Sequence, residues 1–422
     1  MVAETADAPY DRLVARKGDA MYDVIVVGAR CAGSPTAMLL ARKGYRVLLV
    51  DRAAFPSDTF RNHFVRLPGV RRLKDWGLLD RVLATNCPPI RKRTTTFGDF
   101  PLSGYPPGVA DVPGDLAPRR RVLDKLLVNA AAEAGAEVRE RHPVTDLLWD
   151  DGRVAGIRGR TAAGTPVEER ARLVVGADGL HSLVARVAGA PVRQQAPAWT
   201  FAYWTYWADV PVEGVEVAFF PESRRVLIAF PTNDGLTMVG VQGAIGDFRA
   251  FRADIRRNYH AALALAPDLA ERVRQGRQAE AFGGTADLPN IVRRPYGPGW
   301  ALVGDASYHQ DPLLAQGILD AFRDADLLAE SIDRGLSGHE DLEASLEDYE
   351  RRRDAAGIPV FERTLRETQL GPFPPELLRL RAALRGNQAD TDRFYGVELG
   401  TVPREEFFAP ENIARMLRRA AT

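Results

Sequence analysis

The chain has 422 residues, and its 56 lysines and arginines are balanced by 56 aspartates and glutamates, so no global field favours nucleic acid or an acidic membrane surface. Cys31 and Cys87 are too few for a disulfide framework, and no Cys/His cluster has metal-ligand spacing. With 45% apolar residues but no apolar run long enough to span a bilayer, the composition predicts a soluble cytoplasmic protein of two or three domains.

Residues 1–20, "MVAETADAPYDRLVARKGDA", are polar and lack a signal-peptide core; they read as an N-terminal extension or as sequence ahead of a true start at Met21. "VIVVGARCAGSPTAMLLARKGYRVLLVDR" follows at 24–52. A short apolar strand (24–27), a small-residue turn from Gly28 to Gly33, a helix (36–43) closed by Gly44 and a second strand (46–50) make a β-α-β unit. Asp51 ends the second strand, where a carboxylate accepts the hydroxyls of an adenosine ribose. Arg30 stands where the dinucleotide fingerprint has its second glycine, so its side chain must point away from a bound pyrophosphate or lie along its edge. The helix N-terminus still offers free N–H groups and a positive dipole end, and Pro35 is tolerated there because first-turn amides lack partners anyway.

A basic helix is predicted from about Pro68, broken at Gly77, and then proline- and glycine-rich loops and short strands from 87 to 118. A second helix spans 121–134, followed by strands at 144–149, 154–158 and 171–175, the last running into "GADG". From Trp199 the texture becomes that of an antiparallel meander, "WTFAYWTYWADV" and "VEVAFFPESRRVLIAFPTNDGLTMVGVQG". Alternation puts Trp199, Phe201, Tyr203, Thr205 and Trp207 on one face and Trp204 and Tyr206 on the other. Helical patterns return at 247–275, then a strand and loop lead into a long helix whose Ile318, Ala321, Phe322, Ala325 and Ala329 share a face. The remainder is mostly charged helix interrupted at 371–376.

Three separated motifs occur in a telling order: Gly28 to Gly33 with Asp51, then "VVGADGLHS" at 174–182, then "ALVGDASYHQDPLLAQG" at 301–317. Over about residues 21–335 the chain resembles the flavoprotein monooxygenases of the para-hydroxybenzoate hydroxylase fold group, which also includes geranylgeranyl-reductase-like and halogenase relatives. The resemblance implies an α/β protein with a Rossmann-like FAD-binding domain in discontinuous segments (21–85, 115–195 and 281–335). It also implies an antiparallel-sheet substrate domain (86–114 and 196–280) and a C-terminal helical region (336–422).

The resemblance further implies FAD contacts at Gly28, Arg30, Cys31, Ala32, Gly33, Asp51 and Arg52, and at Asp178, Gly304, Asp305, Pro312 and Gly317. Arg120, flanked by Arg119 and Arg121 and four residues before Asp124, matches the arginine that opens the second FAD-contacting helix. In this reading Asp305 accepts a ribityl hydroxyl, Gly304 lets backbone approach the phosphates, and the helix begun near Gly317 turns its dipole toward the flavin pyrimidine. His309, Asp311 and His63 are candidate catalytic residues, each with a plainer alternative as a loop-ordering hydrogen-bond partner. Cys31 reads better as a small packing residue than as a covalent flavin link. Tyr203, Trp204 and Phe230 are candidates for an apolar substrate pocket, although large aromatics in a sheet are mostly core. No metal is expected.

Three chemistries stay open. The first is hydroxylation or epoxidation of an aromatic or hydrophobic small molecule through a flavin C4a-hydroperoxide, which needs a dry cavity, O2, and NADPH or NADH as transient reductant. The second is reduction of C=C bonds by a geranylgeranyl-reductase-like enzyme, and the third a flavin-binding protein without turnover. The strand "RRVLIAFPTNDG" lacks the paired tryptophans expected of a halogenase. No second glycine fingerprint occurs, so the reductant docks transiently or a separate flavin reductase serves; a monomer or homodimer is expected.

Overall fold

In the computed structural model, residues 21–59, 63–97 and 100–419 are described, and the expected N-terminal extension lies outside them. Strand β1 (Tyr22–Val27), helix α1 (Gly33–Arg42) and strand β2 (Val47–Val50) open the chain, and α2 (Arg120–Glu133) and β3 (Pro166–Gly176) follow. The meander comprises β4 (Thr200–Ala208), β5 (Val215–Phe220), β6 (Arg225–Pro231) and β7 (Thr237–Ala244). After a helical excursion come β8 (Trp300–Leu302), α3 (Gly317–Leu336) and α4 (Leu342–Glu367).

The first sheet runs Tyr296–Gly297, β8, β3, β1, β2, Glu137–Arg139, and is parallel from β8 onward. β1 is apolar on both faces because both are covered, as parallel sheets require. Val24 and Val26 pack with Ala37, Leu123, Leu127 and Phe322 beneath helices α1, α2 and α3. Ile25 and Val27 pack on the other side with Leu147, Val154 and Ile157. The predicted face of α3 is buried at all five positions, with Phe322 set edge-on to Trp76 at 5.0 Å.

The second sheet runs Arg277–Gln278, β4, β7, β6, β5, Arg93–Thr96, Pro101–Gly104. Residues near 86–114 thus supply the last two strands, Pro101–Gly104 forming the edge, to a sheet made mainly by 200–244, and Gly283–Thr285 also pairs with β4, past the boundary expected at 280. One face of this sheet packs Phe201, Tyr203 and Trp207 against helices at Phe248–Ala253, Ile255–Leu263 and Pro267–Gln275. A third, small sheet is made of Val192–Ala196, Asn290–Arg293 and Tyr308–His309.

Beyond α4 the chain forms helices at Pro375–Leu384, Gln388–Leu399, Arg404–Phe407 and Pro410–Arg419, whose Leu380, Phe394, Tyr395 and Phe407 cluster with Leu102. Tyr395 Oη donates to the Leu102 carbonyl at 2.6 Å, and Arg381 donates to the Thr95 carbonyl at 2.9 Å while stacking on Phe97. The C-terminal region therefore covers an edge of the second sheet whose amides and carbonyls would otherwise stay open to strand pairing.

Candidate functional site

The turn after β1 is closed by contact. Gly28 has φ +105°, and a Cβ there would lie 2.4 Å from the Ala177 carbonyl oxygen; a Cβ on Gly33 would lie 1.8 Å from the Gly28 carbonyl oxygen. Only glycine fits these two positions. Asp51 holds the same turn from the neighbouring strand, accepting from Ala29 N at 2.7 Å and Ala53 N at 2.8 Å. Each carboxylate oxygen retains a second lone pair for a ligand hydroxyl.

This turn forms one wall of a cavity of about 680 Å³. Gly28, Arg30, Cys31, Ala32, Asp51 and Arg52 line it from the N-terminal unit. Arg120, Asp178, Asp305, Pro312 and Gly317 reach it from elsewhere in the chain. Gly33 sits one layer behind. Gly304 does too, and its expected role changes: with φ +63°, its missing Cβ makes room for the Ala32 methyl, 2.6 Å from where that atom would stand, so it serves packing between loop and turn.

Arg30 is folded along this wall. Its Nη1 pairs with Asp124 Oδ2 at 2.5 Å, its Nη2 donates to Ser57 Oγ at 3.0 Å, and its guanidinium lies 5.3 Å from the centre of the Phe55 ring. Arg120, one turn before Asp124 on α2, pairs with the same carboxylate at 3.1 Å. Asp124 is fully buried, and sequence reasoning gave it no site role despite its i,i+4 spacing from Arg120. The two guanidiniums leave a net positive charge beside the α1 N-terminus, which suits a diphosphate. Of the three consecutive arginines only Arg120 lines the cavity; Arg119 is buried against the Tyr206 ring at 3.8 Å and pairs with Asp58 and Glu280. Cys31 donates to Asp124 Oδ1 at 3.4 Å, and burial pushes its thiol well above the usual range, so it is inert packing.

Asp178 faces its own helix. It accepts from Ser182 Oγ at 2.5 Å, Leu183 N at 2.7 Å and Val184 N at 3.2 Å, capping the turn at Leu183–Val187, and burial raises its pKa while these bonds oppose the rise. On the far side, a Cβ on Gly317 at the α3 N-terminus would meet no protein atom within 4 Å. That open cradle lies at the positive end of a 20-residue helix.

The three candidate catalytic residues separate. His309 lines the cavity with Nδ1 held by the Pro289 carbonyl at 2.5 Å. Asp311 does not line it: 1% exposed, it accepts from Thr200 Oγ1 at 2.5 Å, Gln242 Nε2 at 2.7 Å and Leu313 N at 3.0 Å. It thereby ties β4 and β7 to the loop, and burial holds its carboxyl above the ordinary range. His63 lines the cavity, 1% exposed, with Nδ1 on the Ala117 carbonyl at 3.0 Å and no partner for Nε2.

The expected aromatic trio separates as well. Trp204 lies on the sheet face that bounds the cavity, beside Val217, Val226, Ile228 and Met238. Tyr203 borders the cavity, but its ring stacks on Phe251 at 5.3 Å across the sheet, because neighbouring residues of a strand face opposite ways. Phe230 is a correction: fully buried, it packs edge-on to Phe64 and His63 behind the wall and is not among the lining residues. Ile228 and Met238, missed as lining positions, were marked by the alternation of the meander.

Residues 21–364 match the family model described as an FAD binding domain. The chain belongs to this family of FAD-dependent oxidoreductases and monooxygenases. It is 31% identical over 309 residues to a digeranylgeranylglycerophospholipid reductase of Methanopyrus kandleri, covering 70% of this chain and 73% of that protein. It is 30% identical over 360 residues to a kynurenine 3-monooxygenase of Salinispora arenicola, covering 78% and 76%. A flavoprotein/dehydrogenase from Cytophaga hutchinsonii superimposes with TM-score 0.77 over 95% of this chain and 99% of that one, at 20% identity. The myxobacterial chondrochloren halogenase CndH gives 0.75 over 95% and 96%, at 22% identity. At these identities the two structures establish the fold, not the reaction. The residues present suit FAD: glycine turn, ribose carboxylate at Asp51, paired arginines, and the open cradle at Gly317. Among the described residues no helix is long and apolar enough to cross a membrane.

Proposed function

We propose that this flavoprotein is a monooxygenase that hydroxylates or epoxidises an aromatic or otherwise hydrophobic small molecule, with NADPH or NADH as transient reductant and O2 as co-substrate. The observation that carries this reading is the continuity of one cavity between a polar, glycine-lined wall and an apolar sheet wall of Trp204, Val217, Val226, Ile228 and Met238. FAD bound there would supply hydride acceptance and oxygen activation. Amides at the α1 N-terminus with Arg30 and Arg120 would hold its diphosphate, and the α3 N-terminus at Gly317 would stabilise negative charge on its ring. The sheet wall excludes water from the reacting centre. Consumption of O2 in step with hydroxylated or epoxidised product from an aromatic library, under NADPH or NADH, tests the reading; the same product yield under argon would overturn it.

The name of the Methanopyrus kandleri relative favours a second reading, saturation of a C=C bond in a prenyl chain, which the same apolar wall accommodates. Anaerobic turnover of a prenyl substrate separates the two. A bound flavin that accepts no electrons from either nicotinamide cofactor points to a separate reductase or to a non-catalytic protein.

A further inference from the structure

Two described histidines, His63 and His142, line the cavity with near-complete burial and an Nε2 that has no partner; His142 stands beside Asp51, its backbone N–H donating to the Asp51 carbonyl at 2.8 Å, whereas His63 stands among the aromatic side chains behind the sheet wall. His63 Nδ1 is 3.0 Å from the Ala117 carbonyl, which can accept but not donate and also accepts from Thr232 Oγ1, so the neutral ring carries its proton on Nδ1 and leaves Nε2 as a bare acceptor. Burial lowers the pKa to about 3; the Ala117 contact opposes this, and Arg119 and Arg120 add repulsion against a second proton. Among the described residues no donor lies within hydrogen-bond distance of Nε2. Phe230 lies edge-on at 5.3 Å, Tyr206 is tilted at 5.7 Å with its ring engaged by Arg119, and Phe64 packs beside Phe230. A buried acceptor left unmade is unfavourable, so a donor from the cavity's occupant is the natural partner.

We propose that the cavity selects an uncharged aromatic substrate bearing an O–H or N–H donor, a phenol or aryl amine, and that His63 Nε2 accepts its hydrogen bond and so sets which ring carbon meets the reacting centre. This deepens the reading of an aromatic substrate and rests on it. The hydrogen bond makes His63 a specificity-determining residue that neither gives nor takes a proton in the working pH range. A hydrophobic substrate without a donor leaves Nε2 unsatisfied and is selected against.

The test measures binding of two probes to the FAD-loaded protein, 2-naphthol and 2-methoxynaphthalene, which differ in the O–H, by perturbation of flavin absorbance. The expected result is 2-naphthol tighter by on the order of tenfold. His63→Asn, whose amide still donates to Ala117 but offers no acceptor at Nε2, is expected to abolish the preference at unchanged flavin content, and His63→Gln to restore part of it. Equal binding of both probes by the wild type, or a preference that survives in His63→Asn, overturns the proposal while leaving an aromatic pocket standing. Failure of both probes to bind overturns the aromatic reading itself and the proposal with it. Loss of flavin in His63→Asn assigns Nε2 to the cofactor and also overturns it.

Discussion

The two walls of the cavity are built by different means. The cofactor-side wall is backbone: Gly28 and Gly33 admit no Cβ, Asp51 and Asp178 bind amide N–H groups, and the buried Asp124 carboxylate pairs with Arg30 and Arg120. The sheet wall is side chains: Trp204, Val217, Val226, Ile228 and Met238 alternate outward from strands whose other face packs Phe201, Tyr203 and Trp207. A wall made of backbone tolerates almost no substitution, whereas an alternating apolar face accepts many residues of suitable volume. Within one fold the first wall therefore fixes the cofactor and the second is free to set the substrate.

The contrast breaks most severely at Asp124. Asp124→Ala strands Arg30 and Arg120 together without a counter-charge, and denaturant unfolding is expected to show a loss of about 3–5 kcal/mol together with flavin release. A loss under about 1 kcal/mol would mean that the charges do not hold the wall.

Asp320, in the first turn of α3, has a pKa near 6, raised first by burial and also by Asp324, against the pull of Arg323 and a hydrogen bond from Gln310. The native protein keeps this proton where the unfolded chain releases it, so the stabilisation is full below about pH 4 and is lost as pH rises through 6. The total is roughly 3 kcal/mol. Urea unfolding from pH 4 to 7 is expected to show a steeper decline in the wild type than in Asp320→Asn; parallel curves would remove Asp320 from the account.

Gly317→Leu fills open space with no protein clash, so the apoprotein is expected to stay within about 0.5 kcal/mol of wild type while the FAD Kd rises on the order of a hundredfold. Unchanged FAD affinity would show that the α3 N-terminus does not face the cofactor. The smallest effect belongs to the sheet wall: Trp204→Ala is expected to leave flavin content intact and to weaken binding of an aromatic probe about tenfold. Flavin loss in Trp204→Ala would erase the division between the walls.

Where backbone geometry constrained residue type, the sequence was readable. The β-α-β unit, the helix observed at Arg120–Glu133 and expected at 121–134, and the buried face of α3 all follow from local periodicity. Alternation also separated Trp204 from Tyr203 by face, yet it gave no direction to either face, and both were taken for the pocket. Phe230 failed for a related reason: it shares a strand face with Ile228, but Phe64 and His63 cover its ring, and their approach comes from a segment more than 150 residues away.

Residue identity alone determined that this chain carries a glycine turn for a dinucleotide, a carboxylate at its second strand end and an amphipathic helix after the Gly-Asp loop, because each is specified within a few residues by sterics and periodicity. Tertiary structure alone decided what the long-range side chains do. It turned Asp311 away from the cavity to tie a loop to the sheet, bound Arg30 and Arg120 to one buried carboxylate, and left His63 Nε2 bare. Those outcomes depend on which partner arrives from a distant segment and on what its burial leaves unsatisfied, and no local pattern encodes either.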